Sequence, residues 1–172
     1  MKKGIIHTIE MLKNKKGLIK MINIPSEIFD RSINDIEIGV SDIHLYSKEE
    51  IEEGQVGYRV DDKGNTIKEW IGDNYIVIGH DSCCGDPIIT DISDKKLPVY
   101  SMFHDDWESL EKITDDFQQY LDILKKIDET DLGNEKDKDN LILEINKIVP
   151  NEAEDYWTSI IQNAYDFLND IE

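Results

Sequence analysis

The stretch W-I-G-D-N-Y-I-V-I-G-H-D-S-C-C-G-D-P-I-I-T, Trp70 to Thr90, decides how the rest of the chain must fold. Tyr75, Ile76, Val77 and Ile78 form an unbroken run of aromatic and β-branched residues, so protein must cover both faces of that strand. Its place is the centre of a sheet. Gly79 and the cluster from Ser82 to Asp86 break the run, and Pro87-Ile88-Ile89-Thr90 opens a second extended segment whose first residue needs no ladder donor. A hairpin is the simplest connection.

Upstream, Ile36, Ile38 and Val40 alternate with Glu37 and Gly39 as a half-buried strand would, and Ile43-His44-Leu45-Tyr46 continues as another. Ser47 with Glu50 has the pattern of a capping box for a short helix ended by Gly54. Tyr58-Arg59-Val60 and Thr66-Ile67-Lys68 flank Asp61 to Asn65, a run rich in hairpin-loop residues. Further upstream, Ile5, Ile6, Ile9 and Leu12 follow helical spacing up to Gly17, and Pro25-Ser26-Glu27 opens a turn holding Ile28 and Phe29. Leu18 to Ile24 fits an extended segment or a short helix equally well.

Downstream, Asp94-Lys95-Lys96 makes a turn and Pro98 to His104 a strand. Leu110, Ile113, Phe117, Tyr120, Leu121 and Leu124 recur at three- and four-residue steps with acids between them, which predicts an amphipathic helix. Asp128 to Asn140 is polar and reads as an exposed connection. Leu141, Ile142, Ile145, Ile148 and Val149 form a short helix stopped by Pro150, and Asn151 with Glu154 caps a last helix. Its apolar stripe of Ala153, Trp157, Ile160, Ile161, Ala164, Phe167, Leu168 and Ile171 must be buried on the domain or on a partner. The expected fold is α+β: a twisted, mostly antiparallel sheet covered by helices from the N-terminus and the C-terminus. Residues 1–34 are a helical lead-in, 35–128 the sheet-and-helix core, and 129–172 a charged connection plus C-terminal helices packed on the same domain.

The 172 residues carry 38 acids against 19 lysines and arginines, a net charge of −19. Nucleic acid and anionic membrane are repelled by such a field, whereas a basic protein is attracted and its encounter accelerated. The charge is uneven. Residues 1–22 hold Lys2, Lys3, Lys13, Lys15, Lys16 and Lys20 against Glu10 alone, a local +5 that leaves −24 for the rest. Polar residues interrupt every hydrophobic run there, so docking of this basic head on the acidic body is preferred to a signal peptide or membrane span.

His80, Cys83, Cys84 and His104 are the residues that could hold a soft metal or supply a thiol nucleophile. Adjacent cysteines point apart, and the common two-residue separation is missing. The cysteines are therefore expected to be buried as small hydrophobes with His80 hydrogen-bonded at a strand end. No Gly-x-Ser-x-Gly elbow, phosphate-cradling glycine loop or His-Glu-x-x-His occurs in the chain. Neither enzyme chemistry, a metal nor a cofactor is expected, and two unpaired cysteines fit a reducing cytoplasm.

The acids of interest are Asp81, Asp86, Asp91, Asp94, Asp105, Asp106 and Glu108, most of them in turns between strands. Asp also closes turns through its own side chain, so each taken singly reads as an ordinary turn residue. As a group they make a docking patch for lysines and arginines. Trp107 either anchors a partner within that acidic rim or, as its place before an amphipathic helix favours, fills the sheet–helix junction.

The order of Trp70, Tyr75-Ile76-x-Ile78-Gly79-x-Asp81, Gly85-Asp86-Pro87, Asp91, Pro98-Val99-Tyr100, Trp107 and Phe117-x-x-Tyr120-Leu121 resembles the SUKH superfamily over residues 35–127. That superfamily includes fungal regulators of cell-wall glucan synthesis and many bacterial immunity proteins. The resemblance implies a non-enzymatic protein that binds one cognate toxin, often a nuclease domain, and blocks its active site or substrate groove. A basic toxin would match the charge of this chain, which would act as a monomer or weak homodimer. The alternative, from the fungal relatives, is a regulatory or scaffold module with the last helix as its docking element.

Overall fold

The computed structural model describes residues 24–170. The basic N-terminal helix expected before Gly17, and its docking on the acidic body, lie outside the described residues, as do Leu18 to Asn23 and Ile171.

Six strands follow one another across one antiparallel sheet in the order of the chain: β1 (Asp35–Ile38), β2 (Ser41–Leu45), β3 (Tyr75–Asp81), β4 (Pro87–Asp91), β5 (Val99–Phe103) and β6 (Asp106–Thr114). The apolar run takes the interior position assigned to it, with Ile76, Val77 and Ile78 all buried and β4 paired antiparallel beside it. Gly79 does not end that strand. It lies within β3 opposite Leu45, where a Cβ would strike the His44 carbonyl, so only glycine lets β2 come so close. Val40 does not extend β1; it sits exposed in the β1–β2 turn, after Gly39 at φ +62°.

Ile36, Ile38, Ile43 and Leu45 share the face that the helices cover. These are α1 (Phe117–Asp128), α2 (Glu135–Ile145) and α3 (Glu154–Asp170). Phe117, Tyr120, Ile123, Leu124 and Ile127 form the buried stripe of α1. Ala153, Trp157, Ile161 and Ala164 bury the first two-thirds of the last apolar stripe within the domain itself, and the Trp157 indole N–H donates to Ile113 O across 2.9 Å. At Gly39 the helix and sheet meet: a Cβ there would lie 2.6 Å from Ala164 Cα.

The other face carries His44, Tyr46 and His80 and is covered by the long β2–β3 connection, whose Ile51, Gln55, Val60 and Trp70 are buried. Ser47 and Glu50 make half of the expected capping box, the Ser47 N–H donating to Glu50 Oε2 at 2.8 Å. Only turns and a short 3-10 segment, Glu53–Gln55, follow. The expected hairpin around Asp61 to Asn65 reduces to a single bridge between Val60 and Thr66. β2 pairs with β3 from Gly79 to Asp81, Tyr46 N donates to Ile78 O at 2.8 Å just beyond it, and Gln55 takes over at Val77. Its side chain accepts from Val77 N at 3.0 Å and donates to Val77 O at 2.7 Å and Ile51 O at 2.9 Å, standing in for a strand neighbour.

Two expectations fail outright. Residues 106–114, expected to include a turn and the first turns of a helix, form β6. It is an edge strand, and Glu108, Glu111 and Lys112 are the charges that such edges carry. The helix begins at Phe117, behind Asp116, whose carboxylate accepts from Gln119 N at 2.7 Å. Nor is 128–140 one exposed connection. Asn134 accepts from Lys136 N at 3.0 Å and Asp137 N at 3.2 Å and starts α2, in which Lys138 is buried, with Nζ 4.6 Å from the Tyr165 ring centroid.

Candidate functional site

In a meander that reverses at every strand, the β1–β2, β3–β4 and β5–β6 turns fall at one end of the sheet and the β4–β5 turn at the other. The first set holds Asp42, Asp81, Asp86, Asp105, Asp106 and Glu108 in and beside its turns, with no lysine or arginine among residues 39–42, 81–87 or 103–108. Asp91 and Asp94 are at the opposite end and leave the group. Asp91 accepts from Asn74 Nδ2 (2.7 Å), Ser93 N (2.8 Å) and Ser93 Oγ (2.6 Å), and Asp94 from Lys96 N (2.9 Å). Partial burial opposes ionisation of Asp91, but these hydrogen bonds outweigh it and hold its carboxyl below the usual range.

Three acids of the shared end build its turns. Asp81 Oδ1 accepts from Cys83 N at 2.7 Å. Asp86 ties two turns together: its Oδ1 accepts from His104 N and is bonded to His104 Nδ1, both at 2.9 Å, while Oδ2 accepts from Cys84 Sγ at 3.1 Å. Burial works against the Asp86 anion, yet these bonds leave its carboxyl below the ordinary value, and the same contact raises the His104 imidazole. Asp106 Oδ1 accepts from Glu108 N at 3.0 Å, and its carbonyl accepts from Ser109 Oγ.

The other three acids have no such duty. Asp42, Asp105 and Glu108 are exposed, and their carboxylates make no hydrogen bond or ion pair among the described residues. Beside them Phe103 is 61% exposed at the tip of β5. Compared with known proteins, the chain matches no family model, no curated protein and no solved structure.

Sequence reasoning missed Asp42 and Phe103. Asp42 follows a turn hidden by reading Val40 into the strand, and Phe103 falls inside the Pro98–His104 strand, where nothing in the sequence shows that the strand ends in solvent. Trp107 does not fill the sheet–helix junction. It is half-buried and packs edge-on against Trp70 of the β2–β3 connection, ring centroids 5.9 Å apart, at the root of the β5–β6 turn.

Cys83 and Cys84 are exposed rather than buried, because the turn between β3 and β4 carries them outside the sheet. Partial burial and the bond to Asp86 push the Cys84 thiol up to about 11, which keeps it protonated at neutral pH. The order is thiol, carboxylate, imidazole. A thiol nucleophile needs the imidazole in the middle, where it can take the proton. His80 is bonded to Tyr46 Oη at 2.9 Å, and burial together with nearby His44 lowers its pKa. Among the described residues, no group of three His, Cys, Asp or Glu side chains is arranged to hold a metal ion, and no helix is long and apolar enough to cross a membrane.

Proposed function

We propose that this chain is a non-enzymatic binding protein that neutralises a basic protein by covering it, in the manner of the SUKH immunity proteins it resembles. The observation that carries the reading is the end of the sheet where three turns hold six acids and no lysine or arginine, three of those carboxylates unengaged among the described residues. Asp81, Asp86 and Asp106 are used up in holding the turns in place, so the surface is rigid before a partner arrives. Asp42, Asp105 and Glu108 then meet lysines and arginines without first breaking contacts with any other described residue.

In this mechanism attraction between unlike fields speeds encounter, and the apolar residues at the same end slow release. A nuclease domain is the kind of partner the resemblance implies and the charge suits. The test is co-expression with the product of the adjacent reading frame: rescue of growth supports the reading. Absence of rescue, with capture of several partners through α3, favours the regulatory or scaffold alternative.

A further inference from the structure

The large apolar side chains exposed on the described surface are Val40, Phe103, Leu143, Ile148, Phe167 and Leu168, and four of them belong to one region. Val40 (44%) and Phe103 (61%) project from the β1–β2 and β5–β6 turns. Phe167 (39%) and Leu168 (44%) lie one helical turn beyond Ala164, the residue that packs on Gly39 in the β1–β2 turn. This end of the molecule therefore offers apolar side chains and uncompensated carboxylates together.

The chain carries a segment with the opposite character. Residues 1–22 hold six lysines and one acid, and Ile5, Ile6, Ile9 and Leu12 recur as one apolar stripe. We propose that this segment docks on the end formed by the β1–β2, β3–β4 and β5–β6 turns, laying its apolar stripe on Val40, Phe103, Phe167 and Leu168 with its lysines on Asp42, Asp105 and Glu108. If the same end binds a basic partner, as the reading above has it, the segment is an internal competitor that the partner must displace.

The dimensions allow it. Ile24 packs on the core, and Glu27 and Asp30 share a cleft with Lys96, Leu97 and Phe117, at the far end of the strands. β2 has 5 residues and β3 has 7, so crossing the sheet takes about 17–23 Å. Lys13 to Asn23, drawn out, reaches about 36 Å. Three successive turns, with strands about 4.8 Å apart, spread over about 19 Å, and a helix of about 12 residues covers about 18 Å.

Zero-length cross-linking of the full-length chain with a water-soluble carbodiimide, mapped by mass spectrometry, tests this without any partner. Intramolecular amide links are expected from Lys2, Lys3, Lys13, Lys15 or Lys16 to Asp42, Asp105 or Glu108, lost in high salt and lost in F103D/L168D at an unchanged melting temperature. Links from those lysines only to carboxylates of α1 or α2, or no links at all, overturn the proposal. Links only between chains, seen as cross-linked dimers, overturn it too and assign the surface to a second copy. Loss of the self-docking links while co-expression still rescues growth removes this inference alone and leaves the binding role standing.

Discussion

Asp86 shows how one carboxylate sets the charge state of its neighbours. His104 is raised above its ordinary 6.5 chiefly by its hydrogen bond to Asp86, so the link stabilises the fold fully below pH 6.5 and fades as pH rises through the folded-state value. Asp86 is lowered below 3.8, so its own contribution is complete above that value and disappears as acid takes pH through the folded value. Between about pH 4 and 6.5 both terms act. In an NMR titration the His104 midpoint should lie above 6.5, and in D86N it should fall back toward it; an unchanged midpoint would show that the contact does not form in solution.

Gln55 is the second residue whose loss should be felt. It is 1% exposed and serves both backbone groups of Val77. Alanine there strands a buried N–H and a buried carbonyl, at about 1–3 kcal/mol for each. For Q55A we expect a loss of about 3 kcal/mol and a melting temperature lower by about 6–12 °C, read by calorimetry. A shift within a degree would mean that the connection is not fastened through this side chain.

At the level of elements, α3 is positioned by two contacts of different kinds, a hydrogen bond from Trp157 to Ile113 O and the close passage of Ala164 over Gly39. G39A adds a methyl 2.6 Å from Ala164 Cα at a backbone φ of +62° that favours glycine. Helix or turn must shift, at about 2–3 kcal/mol, and amides near Ala164 should exchange faster with deuterium. Equal exchange in wild type and G39A would put the helix elsewhere. W157F tests the first contact by itself: it leaves the Ile113 carbonyl unpaired and a small void, with an expected cost of about 1–3 kcal/mol in denaturant unfolding.

β6 is the element whose nature was concealed by its composition. Leu110, Ile113 and Phe117 have helical spacing, but the first two lie on a strand and the third begins the helix. The signal for the true boundary was present in Asp116 and Gln119, which bracket the first turn of α1 with a side chain accepting at each end. It lost to a periodicity that happened to run across two elements. α2 was obscured in the same way, since its first turn is built from Glu135, Lys136, Asp137 and Lys138, charges that read as loop until Asn134 is recognised as a cap.

For the whole molecule the dominant quantity is the charge of −19. If the three-turn end meets a basic partner, neutralising Asp42, Asp105 and Glu108 together should slow association by about tenfold at low salt and flatten its salt dependence. The melting temperature should hold, because those carboxylates bond to no other described residue. Stopped-flow association with the product of the adjacent reading frame would show it. The same triple change leaving both rate and salt dependence untouched would mean that the partner sits elsewhere.

The sequence alone determined the α+β class, the interior position of the Tyr75–Ile78 strand and the imbalance of charge, since each follows from composition or local periodicity. Tertiary structure decided which acids stand together. Strand direction alternates along the meander, so Asp91 and Asp94 were sent to one end while Asp81, Asp86, Asp105, Asp106 and Glu108 stayed at the other, joined by Asp42. It also decided which carboxylates are occupied, because whether Asp86 or Asp105 finds a donor depends on a neighbouring turn many residues away. No local pattern carries that information: it arises when hairpins that are distant in sequence are set side by side.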